Sequence, residues 1–496
     1  MAGYKTTDLM LIENHIKENK MFSKEDILKW IKVVVNEDTG TAEYFFIPTE
    51  LANYMKTIIN YIFVRSQASD SIMIYAYIPE KGKYEWISDD QFKGLIASCI
   101  PYKLHKSRDI EEVFKLIKCN ANIDFVDVDE LDNNEDIINM TDGLLNIKTH
   151  KLMPHSPEIL STIQIPFKYE DIKNSSGDCP VFLGYLDKLC NRDGFDMRLI
   201  MQCIGLTISN IYGYRAKKSL FLIGKGDTGK SQIKEFLARL IGKEKFSPVD
   251  LKKLNEKFGA SSLYAKRLVG CNDMTYQKVE DMSIFKQLTG GDSIEIEFKN
   301  KTPFSYIFKG FLWFNANKMP RFGGDHGKWV YDRVMIIEAK NPISPNEQDK
   351  LIVEKMLQEG PSIIKWALQE LDAFVENGYT FTEGPNILKN RELYKIENNT
   401  FLEFIIDCCD VLSETREDLL DRTKRSDLNS AYNAWCEEND IPQKYRVQKK
   451  DRHKILAENF NELQAEGSRG DVYLNTIYLY PEARKELLGS WEERKW

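Results

Sequence analysis

The sequence has no excess of positive charge, and this bears first on what it can bind. Its 68 lysines and arginines are outnumbered by 76 aspartates and glutamates, so the formal net charge is −8 and the isoelectric point is about 5.6. A protein that binds nucleic acid through a wholly basic surface is therefore excluded. Any contact with nucleic acid must be local, in a patch or along the lining of a pore.

Metal-binding cysteine patterns and long apolar runs are also lacking. The nine cysteines form no C-x-x-C pair and the six histidines do not cluster near them, which argues against a structural zinc site. We expect reduced thiols in a cytoplasmic protein, because the first residues have a charged helical pattern and not that of a secretory signal. The longest apolar run, residues 54–64, is interrupted by Lys56 and Asn60 and is too short to span a bilayer, so we expect no membrane partner.

A chain of 496 residues is long enough for about three domains. Residues 1–168 mix short strands with helical patterns and favour a compact α/β domain, and a polar stretch marks a boundary near 168–180. Strand and helix patterns alternate over 181–345, residues 346–400 are mainly helical, and 401–496 begin with a helix and end in strand-like segments. The sequence therefore predicts an α/β fold class.

The central segment contains a phosphate-loop pattern, G-x-x-x-x-G-K-[ST]. It occurs as GKGDTGKS between an apolar strand and an amphipathic helix, a context that disfavours a mere glycine-rich turn. Glycines allow backbone N–H groups to face phosphate oxygens, Lys230 would neutralise the β and γ phosphates of ATP, and Ser231 would hold Mg²⁺. The predicted cofactor-binding residues are Gly224, Gly226, Asp227, Thr228, Gly229, Lys230 and Ser231.

Polar side chains that would complete such a site follow downstream. Asp273 comes after the strand pattern RLVGC and is a candidate for binding magnesium, although an aspartate can also simply end a strand. Asn315 and Asn317 end an apolar strand, where an amide can bond the attacking water or the γ-phosphate. Arg333 precedes the next apolar strand and could face a phosphate held by a neighbouring subunit. Two other arginines compete for this role: Arg267 and Arg321.

Two lysine-rich segments are candidates for contact with DNA. SIEIEF alternates as a strand does, and KNK would turn it into a hairpin with Lys299 and Lys301 at its tip; a solvated turn is the alternative. The densest basic run, residues 444–454, precedes a helix pattern that is either a solvated charged helix or one whose start meets phosphates. Three of its residues are predicted to contact DNA: Lys449, Lys450 and Arg452.

A pair of carboxylates, Asp127 and Asp129, has the hydrophobic-D-hydrophobic-D spacing with which primases of the archaeo-eukaryotic type bind two metals. Too little chain precedes the pair for a full primase domain, and no third carboxylate or phosphate-binding partner is evident. We therefore expect these aspartates to be structural.

Taken together, the motifs resemble those of superfamily 3 helicases, especially the phage, poxvirus and mobile-element primase–helicases. The resemblance rests on GKGDTGKS, the acid after KRLV, KQLTGGD, FNANKMP and the arginine before the last strand. NMTDGLLNIKTHKLMPHSP resembles the segment just upstream of their ATPase domain, and AYNAWCEENDIPQ with DVYLNTIYLYP resembles their C-terminal winged helix. The likeness spans residues 70–496 and suits a replication initiator of a prophage or pathogenicity island.

The resemblance implies an AAA+-like P-loop ATPase domain over 181–345 and an N-terminal α/β collar for oligomerisation over 1–168. It also implies a helical connector over 346–400 and a winged-helix DNA-binding domain over 401–496. Such proteins form hexameric rings that translocate 3′ to 5′ on single-stranded DNA and use ATP and Mg²⁺. Duplex origin DNA at the winged helix, a separate primase and host replication proteins are further implied partners.

By position in the family's motifs, Asp273 holds the acidic position together with Ser231 near magnesium. Asn317 is the polar sensor and Arg333 the arginine finger that acts in trans. Lys299 and Lys301 fall in the hairpin that touches DNA, so the resemblance favours DNA contact over a solvated turn.

One departure from the family's pattern concerns the acid. The family usually has glutamate where this chain has Asp273, and the preceding residue is Asn272 and not a second acid. Aspartate can bind magnesium or its water shell, but it is one methylene shorter and reaches less far as a base for water. We expect slower hydrolysis, or help from Glu280 or Asp281.

Two other functions stay open at this point beside a replicative DNA helicase. An origin-binding initiator would use ATP mainly to assemble and melt DNA, without processive unwinding. An AAA+ protein remodeller would show no stimulation by DNA.

Overall fold

The computed structural model describes most of the chain, which divides into two compact units. Unit one comprises Met1–Pro320 and Asp332–Gly384, and unit two comprises Arg321–Tyr331 and Pro385–Trp496. The division at Gly384 falls inside the stretch expected as one helical connector. The described residues are 29–35, 42–65, 72–100, 104–120, 125–274, 278–279, 281–299, 302–322, 328–411, 423–460, 465–466, 472–474 and 476–489.

Unit one begins with helices packed on a mixed sheet. Its first elements are β1 (Ile31–Val35), β2 (Ala42–Phe46), α1 (Pro48–Ile58), β3 (Tyr61–Arg65), β4 (Ile72–Ile78), β5 (Lys83–Ile87), α2 (Asp89–Ser98), α3 (Ser107–Asn120) and β6 (Val126–Asp127). The sheet has the order β5-β4-β3-β6, and a separate antiparallel pair joins β1 to β2. The predicted turn at Gly82 is confirmed, with φ of 69° between β4 and β5. Apolar side chains close a core around Trp30, Met55 and Phe92, because the helices bury one face on the sheet.

A three-stranded antiparallel meander follows this sheet. Its strands are β7 (Ile137–Met140), β8 (Gly143–Asn146) and β9 (Lys151–Met153). The predicted Asp-Gly turn is confirmed between β7 and β8. Gly143 has φ of 155°, and a Cβ there would lie 2.5 Å from the backbone oxygen of Met153, so only glycine fits.

The centre of unit one is a five-stranded parallel sheet. The chain runs through α4 (Tyr169–Asn174), α5 (Pro180–Leu189), α6 (Gly194–Ile208), β10 (Ser219–Ile223), α7 (Lys230–Ile241), β11 (Phe246–Ser247), α8 (Leu251–Leu254), β12 (Leu268–Val269), β13 (Lys278–Val279), α9 (Ser283–Gly290), β14 (Ile294–Ile296), β15 (Phe304–Tyr306), β16 (Phe311–Ala316), β17 (Arg321–Phe322), α10 (Lys328–Asp332), β18 (Val334–Glu338), α11 (Ile352–Gln358) and α12 (Gly360–Glu376). Of these, β17 and α10 up to Tyr331 belong to unit two. The sheet order is β11-β12-β16-β10-β18. Its three longest strands are almost entirely buried apolar runs, as a parallel sheet covered on both faces requires.

Strand register decides where the loops of this sheet meet. Leu220 of β10 lies level with Trp313 of β16 and with Met335 of β18. Because all five strands run the same way, the loops that follow β10, β12 and β16 emerge at one edge. Ligands bind at such an edge in open α/β sheets.

Unit two combines helices with two small antiparallel strand pairs. Its further elements are α13 (Pro385–Glu397), α14 (Thr400–Cys408), β19 (Cys409–Val411), α15 (Arg425–Glu438), α16 (Lys449–Phe460), β20 (Ala465–Glu466), β21 (Val472–Tyr473), β22 (Ile477–Leu479) and α17 (Pro481–Leu488). β19 pairs with β22, and β20 pairs with β21. Its core is built on the rings of Phe401, Phe404, Tyr432 and Trp435.

Candidate functional site

The loop between β10 and α7 has the backbone that a phosphate cradle needs. Gly224, Asp227 and Gly229 have φ of 143°, 61° and 87°. A Cβ at Gly224 would lie 2.1 Å from the backbone oxygen of Ala339, so the close passage past the next strand excludes any larger residue. Left-handed turns of this kind gather backbone N–H groups into a concave anion site.

Lys230 lies inside this loop at the first position of α7. Its buried ammonium donates hydrogen bonds to the backbone oxygens of Gly224 and Lys225, both at 2.6 Å, and to Thr228 Oγ1 at 3.1 Å. Burial lowers the pKa of Lys230, and the carboxylates of Asp273 and Asp227 act in the opposite direction. The Lys230 ammonium is therefore held at a position where phosphate oxygens of a bound nucleotide would accept its hydrogen bonds in place of the loop carbonyls.

A cleft of about 680 Å³ opens beside the loop. Its polar end has Asn272, Asp273 and Asn317, which follow β12 and β16. Further lining comes from α5 and from the chain after β18, including Val181 and Ile343. The predicted residues that line the cleft are Gly226, Asp227, Thr228, Gly229, Lys230, Ser231, Asp273 and Asn317.

The cleft's oxygen donors fit a magnesium ion bound with a nucleotide. The Ser231 hydroxyl and the exposed Asp273 carboxylate line the same cleft beside Lys230. Mg²⁺ prefers oxygen ligands and takes one or two protein groups together with substrate phosphates and waters. Asp281, an expected helper, instead accepts a hydrogen bond from the Ser283 backbone at the start of α9 (2.7 Å). Glu280 lies outside the described residues.

Two buried polar side chains support the loop. The sequence patterns did not indicate this structural role. Asn315 donates through Nδ2 to the backbone oxygen of Lys230 at 2.7 Å, so this asparagine holds α7 while Asn317 faces the cleft. Tyr185 of α5 donates to the backbone oxygen of Gly229 at 2.9 Å. Only the placement of Asn315 at the end of an apolar strand was a signal in the sequence.

Lys234 is a third buried polar side chain that supports the site, and no sequence motif indicated it. It is fully buried one turn after Lys230, and its ammonium donates to the backbone oxygens of Gly270 and Cys271, just before Asp273. Burial lowers its pKa to about 7. Its position beside Ile233 on the apolar face of α7 was the available signal.

Arg333 lies at the other end of the sheet from the cleft. It directly precedes β18, whose first residue is level with Ser219 and whose last is level with Ile223. At about 3.3 Å per residue, β18 alone separates it from the loop by roughly 15 Å. The arginine is not among the residues that line the cleft, so it cannot reach a nucleotide bound by its own subunit.

The two competing arginines have other surroundings. Arg267 is buried, and its guanidinium donates to the backbone oxygens of Leu206, Ile211 and Thr207 at the end of α6. Burial lowers its pKa to about 10. Arg267 therefore satisfies backbone carbonyls at the C-terminal end of α6, and the prediction that it could be an arginine finger is wrong. The guanidinium of Arg321 in unit two lies over the ring of Tyr445, with 5.5 Å to the centroid.

The predicted lysine hairpin is present as a strand pair. β14 and β15 run antiparallel, with Ile294 opposite Tyr306. Lys299 lies exposed in the connection between them, and Lys301 lies outside the described residues. Contact of these lysines with DNA stays a prediction.

The basic residues at the start of α16 separate into two kinds. Lys449 and Lys450 are exposed. Arg452 is buried, with its guanidinium donating to Val447 O at 3.0 Å, Asn429 Oδ1 at 2.8 Å and Asn433 Oδ1 at 2.9 Å. It also lies over the ring of Tyr432, with 4.3 Å to the centroid. The prediction that Arg452 contacts DNA therefore needs correction, because its donors are directed into unit two.

The paired carboxylates have structural partners. Asp127 lies 3.3 Å from the Arg65 guanidinium, and the Asp129 backbone oxygen accepts a hydrogen bond from Lys309 at 2.8 Å. Burial raises the pKa of Asp129, and the charge of Lys309 lowers it. Asp127 therefore links β6 to β3 within the N-terminal sheet, and Asp129 connects that sheet to Lys309.

Two family models match the chain. One, described as "D5 N terminal like", matches residues 11–191, and the other, a family of unknown function named DUF5906, matches residues 222–333. The second match begins in β10 and ends at Arg333, so it contains the phosphate loop. Each of the two matches spans less than half of the chain. No curated protein matches the chain.

Solved structures with some similarity include two apo structures of the NrS-1 C-terminal region. The A form is 12% identical, with a TM-score of 0.45, and covers 86% of this chain and 98% of that one. An apo structure of NrS-1 residues 305–718 is 12% identical to this chain, with a TM-score of 0.40. The alignment covers 87% of this chain and 99% of the NrS-1 chain. In the described part of the chain, no helix combines the length and apolar character of a membrane span.

Proposed function

We propose that this protein is an ATP-dependent DNA helicase that initiates replication, working as a hexameric ring that translocates 3′ to 5′ on single-stranded DNA. The D5 N-terminal-like match supports the coarser part of this proposal, a phage-type replication initiator. The ATPase, the ring and the direction rest on the site and on the resemblance of the motifs. Cytoplasmic localisation is part of the same proposal.

A single arrangement carries the proposal. Lys230, Asp273 and Asn317 meet in one cleft at one edge of the sheet, while Arg333 lies at the opposite end. The described residues that line the cleft include a lysine, a carboxylate and an amide but no arginine, which fits an ATPase completed by a neighbouring subunit. A ring supplies such a neighbour to every cleft.

Within each cleft the chain's residues divide the work. The loop N–H groups and Lys230 bind the β and γ phosphates, and the Asn317 amide orients the attacking water or the γ-phosphate. Asp273 orients water and, with Ser231, is placed to hold Mg²⁺. Mg²⁺, if bound by Ser231 and Asp273, would supply positive charge that neutralises the charge developing on the phosphates. Arg333 of the adjacent subunit stabilises the transition state.

DNA contact is assigned to two places. Lys299, with Lys301, would touch the strand in the pore and move it as the subunits change nucleotide state. The order α14, β19, α15, α16 and the β20–β21 pair within unit two supports a winged helix, in which the exposed Lys449 and Lys450 would meet phosphates of duplex origin DNA.

ATPase and fork-unwinding assays on the wild type and Lys230→Ala, with mass measurement in ATP and DNA, test this proposal. We expect turnover stimulated by single-stranded DNA, unwinding of a fork and a hexamer mass. In Lys230→Ala we expect at least about a hundredfold loss of turnover. Lys252→Ala, an exposed lysine on α8, is the matched control and should behave as wild type.

The same assays separate the second candidate from the first. The short Asp273 side chain favours, as the alternative, an origin-binding initiator that uses ATP for assembly and melting. That protein would form rings and distort origin DNA but would not unwind a long fork. A monomer without DNA-stimulated turnover would contradict both.

A further inference from the structure

We propose that the C-terminal part of α9 is the seat of Arg333, and that Thr289 is the residue that positions this arginine for a neighbouring subunit's cleft. The inference rests on the proposed function and deepens it. It gives a physical role to the threonine of KQLTGGD, a motif that the cleft does not use.

The seat consists of two acceptors on consecutive turns of α9. Arg333 Nη1 donates to the backbone oxygen of Lys286 at 2.9 Å and to Thr289 Oγ1 at 2.6 Å. A hydrogen bond from a charged donor is typically short, and the bond to Thr289 is the shorter of the two. One guanidinium nitrogen is thus held at two points.

The orientation of the Thr289 hydroxyl is fixed from the other side. The side chain is 2% exposed, and its Oγ1 donates to the Phe285 backbone oxygen at 2.7 Å. A hydroxyl has one proton, so the lone pairs of Oγ1 are what it presents to Arg333. The threonine can therefore accept from the arginine without competing for its own donor.

The charge environment of the seat suits a cation. Thr289 belongs to the last turn of α9, where the helix carries partial negative charge, and the Lys286 carbonyl lies one turn earlier. Burial lowers the pKa of Arg333, and the nearby Asp292 carboxylate raises it. Gly290 borders the seat, since a Cβ there would lie 3.1 Å from Asp292 Oδ2 and 3.4 Å from Arg333 Nη1.

A seated arginine differs from a free one in how it acts across an interface. A flexible arginine loses rotamer entropy when it engages a phosphate, and anchoring it beforehand lowers this cost. The positioning should therefore affect turnover, which depends on transition-state contact, much more than it affects ATP binding.

Thr289→Val and Thr289→Ser test the inference against Arg333→Ala. Valine keeps the shape but removes the acceptor, and we expect kcat to fall about tenfold while KM for ATP stays within about twofold. Serine keeps the hydroxyl and should retain most of the wild-type kcat. The double variant with Arg333→Ala should be no slower than Arg333→Ala alone, because both changes remove one function.

Mixed assemblies show whether Thr289 acts across the interface. Lys230→Ala subunits cannot hydrolyse ATP but still supply Arg333, so adding them to Arg333→Ala subunits should restore turnover. Lys230→Ala/Thr289→Val subunits should restore about tenfold less. Equal thermal melting of the variants excludes misfolding as the cause.

The outcomes separate this inference from the proposed function. Absence of ATPase in the wild type would overturn both. Loss of turnover in Arg333→Ala with near-normal kcat in Thr289→Val would overturn the role of Thr289 and leave the helicase standing. Equal restoration by both partner subunits would do the same.

Discussion

At the residue scale, the side chain of Asp273 is one methylene shorter than the glutamate usual at this position in superfamily 3 helicases. It lines the cleft together with Lys230 and Ser231 and follows the short strand β12. The loop, the lysine and the serine suffice to bind a nucleotide, whereas hydrolysis also requires an acid that orients water. Binding and hydrolysis should therefore respond differently to a change at this position.

We predict that Asp273→Asn abolishes ATP hydrolysis while nucleotide binding stays measurable. Asparagine has nearly the same shape but cannot act as a base and binds magnesium more weakly. Steady-state turnover and the Kd for a fluorescent nucleotide measure the two effects separately. Near-normal turnover would exclude Asp273 as the acid of the site.

Lys234 makes the stability of unit one depend on pH. Burial lowers its folded pKa to about 7, from an ordinary value of 10.5. Between these two values the unfolded chain binds one more proton than the folded chain, so stability rises with pH there, by about 1.4 kcal/mol per unit. Below pH 7 both states carry the proton and the cost of burying the charge is complete.

Lys234→Met should remove this dependence. Urea denaturation at pH 7 and pH 8.5 should show the free energy of unfolding of the wild type rising relative to the variant by about 1–2 kcal/mol. Exposed Lys253→Met is the matched control and should follow the wild type. Parallel pH profiles of wild type and Lys234→Met would contradict the assigned pKa.

At the scale of elements, sequence patterns were enough to predict a strand, helix or turn wherever the signal lies within a few residues. The strand, loop and helix around Gly224–Ser231 and the turns at Gly82 and Gly143 follow from periodicity and glycine position, and all are present. The gathering of Asp273 and Asn317 beside Lys230 also follows, because parallel strands bring their carboxyl ends together.

Buried charges were not predictable, because their partners are remote in sequence. Arg267 donates to the Thr207 carbonyl 60 positions away, and Arg452 to Asn429 on the preceding helix. Nothing local distinguishes Arg452 from its exposed neighbours Lys449 and Lys450 within one basic run. Only the packing of α15 against α16 decides which of them turns inward.

This difference along α16 gives a prediction for DNA binding. Lys449→Gln/Lys450→Gln should weaken DNA binding and reduce the slope of log K against log salt by about 1 to 2, because each phosphate contact releases about one counterion. The thermal melting of unit two should not change. Lys252→Gln/Lys253→Gln, an exposed lysine pair in unit one, is the control. An unchanged salt slope would count against α16 as a phosphate-contacting helix.

For unit one as a whole, an acidic segment joins the N-terminal strands to the parallel-sheet region. Asp132 accepts hydrogen bonds from Thr162 and lies 3.2 Å from the Lys245 ammonium, which follows α7. Glu135 binds the Arg215 guanidinium through both carboxylate oxygens, each at 2.6 Å. Buried and half-buried charges therefore hold the region expected to act as a collar against the parallel-sheet region.

Of these charged residues, Asp132 should contribute most to the stability of unit one. Burial alone would raise its pKa, but the Lys245 charge and the hydrogen bonds from Thr162 and Ile163 outweigh it and hold the pKa below the ordinary 3.8. The carboxylate's contribution to stability is thus fully present above pH 3.8 and is lost as the pH falls through the lower folded pKa.

We predict that Asp132→Asn destabilises unit one by about 3 kcal/mol at pH 7, because it leaves the Lys245 ammonium in a buried site without its counter-charge. Asp136→Asn, which breaks an exposed pair with Lys148 in the same segment, is the matched control and should leave the unfolding midpoint unchanged. Urea denaturation at pH 7 and below pH 3.8 measures both variants. The difference between wild type and Asp132→Asn should shrink in acid, since protonation then neutralises the same carboxylate in the wild type. A difference that stays constant with pH would mean that packing, and not the Asp132–Lys245 charge pair, holds the N-terminal strands to the sheet.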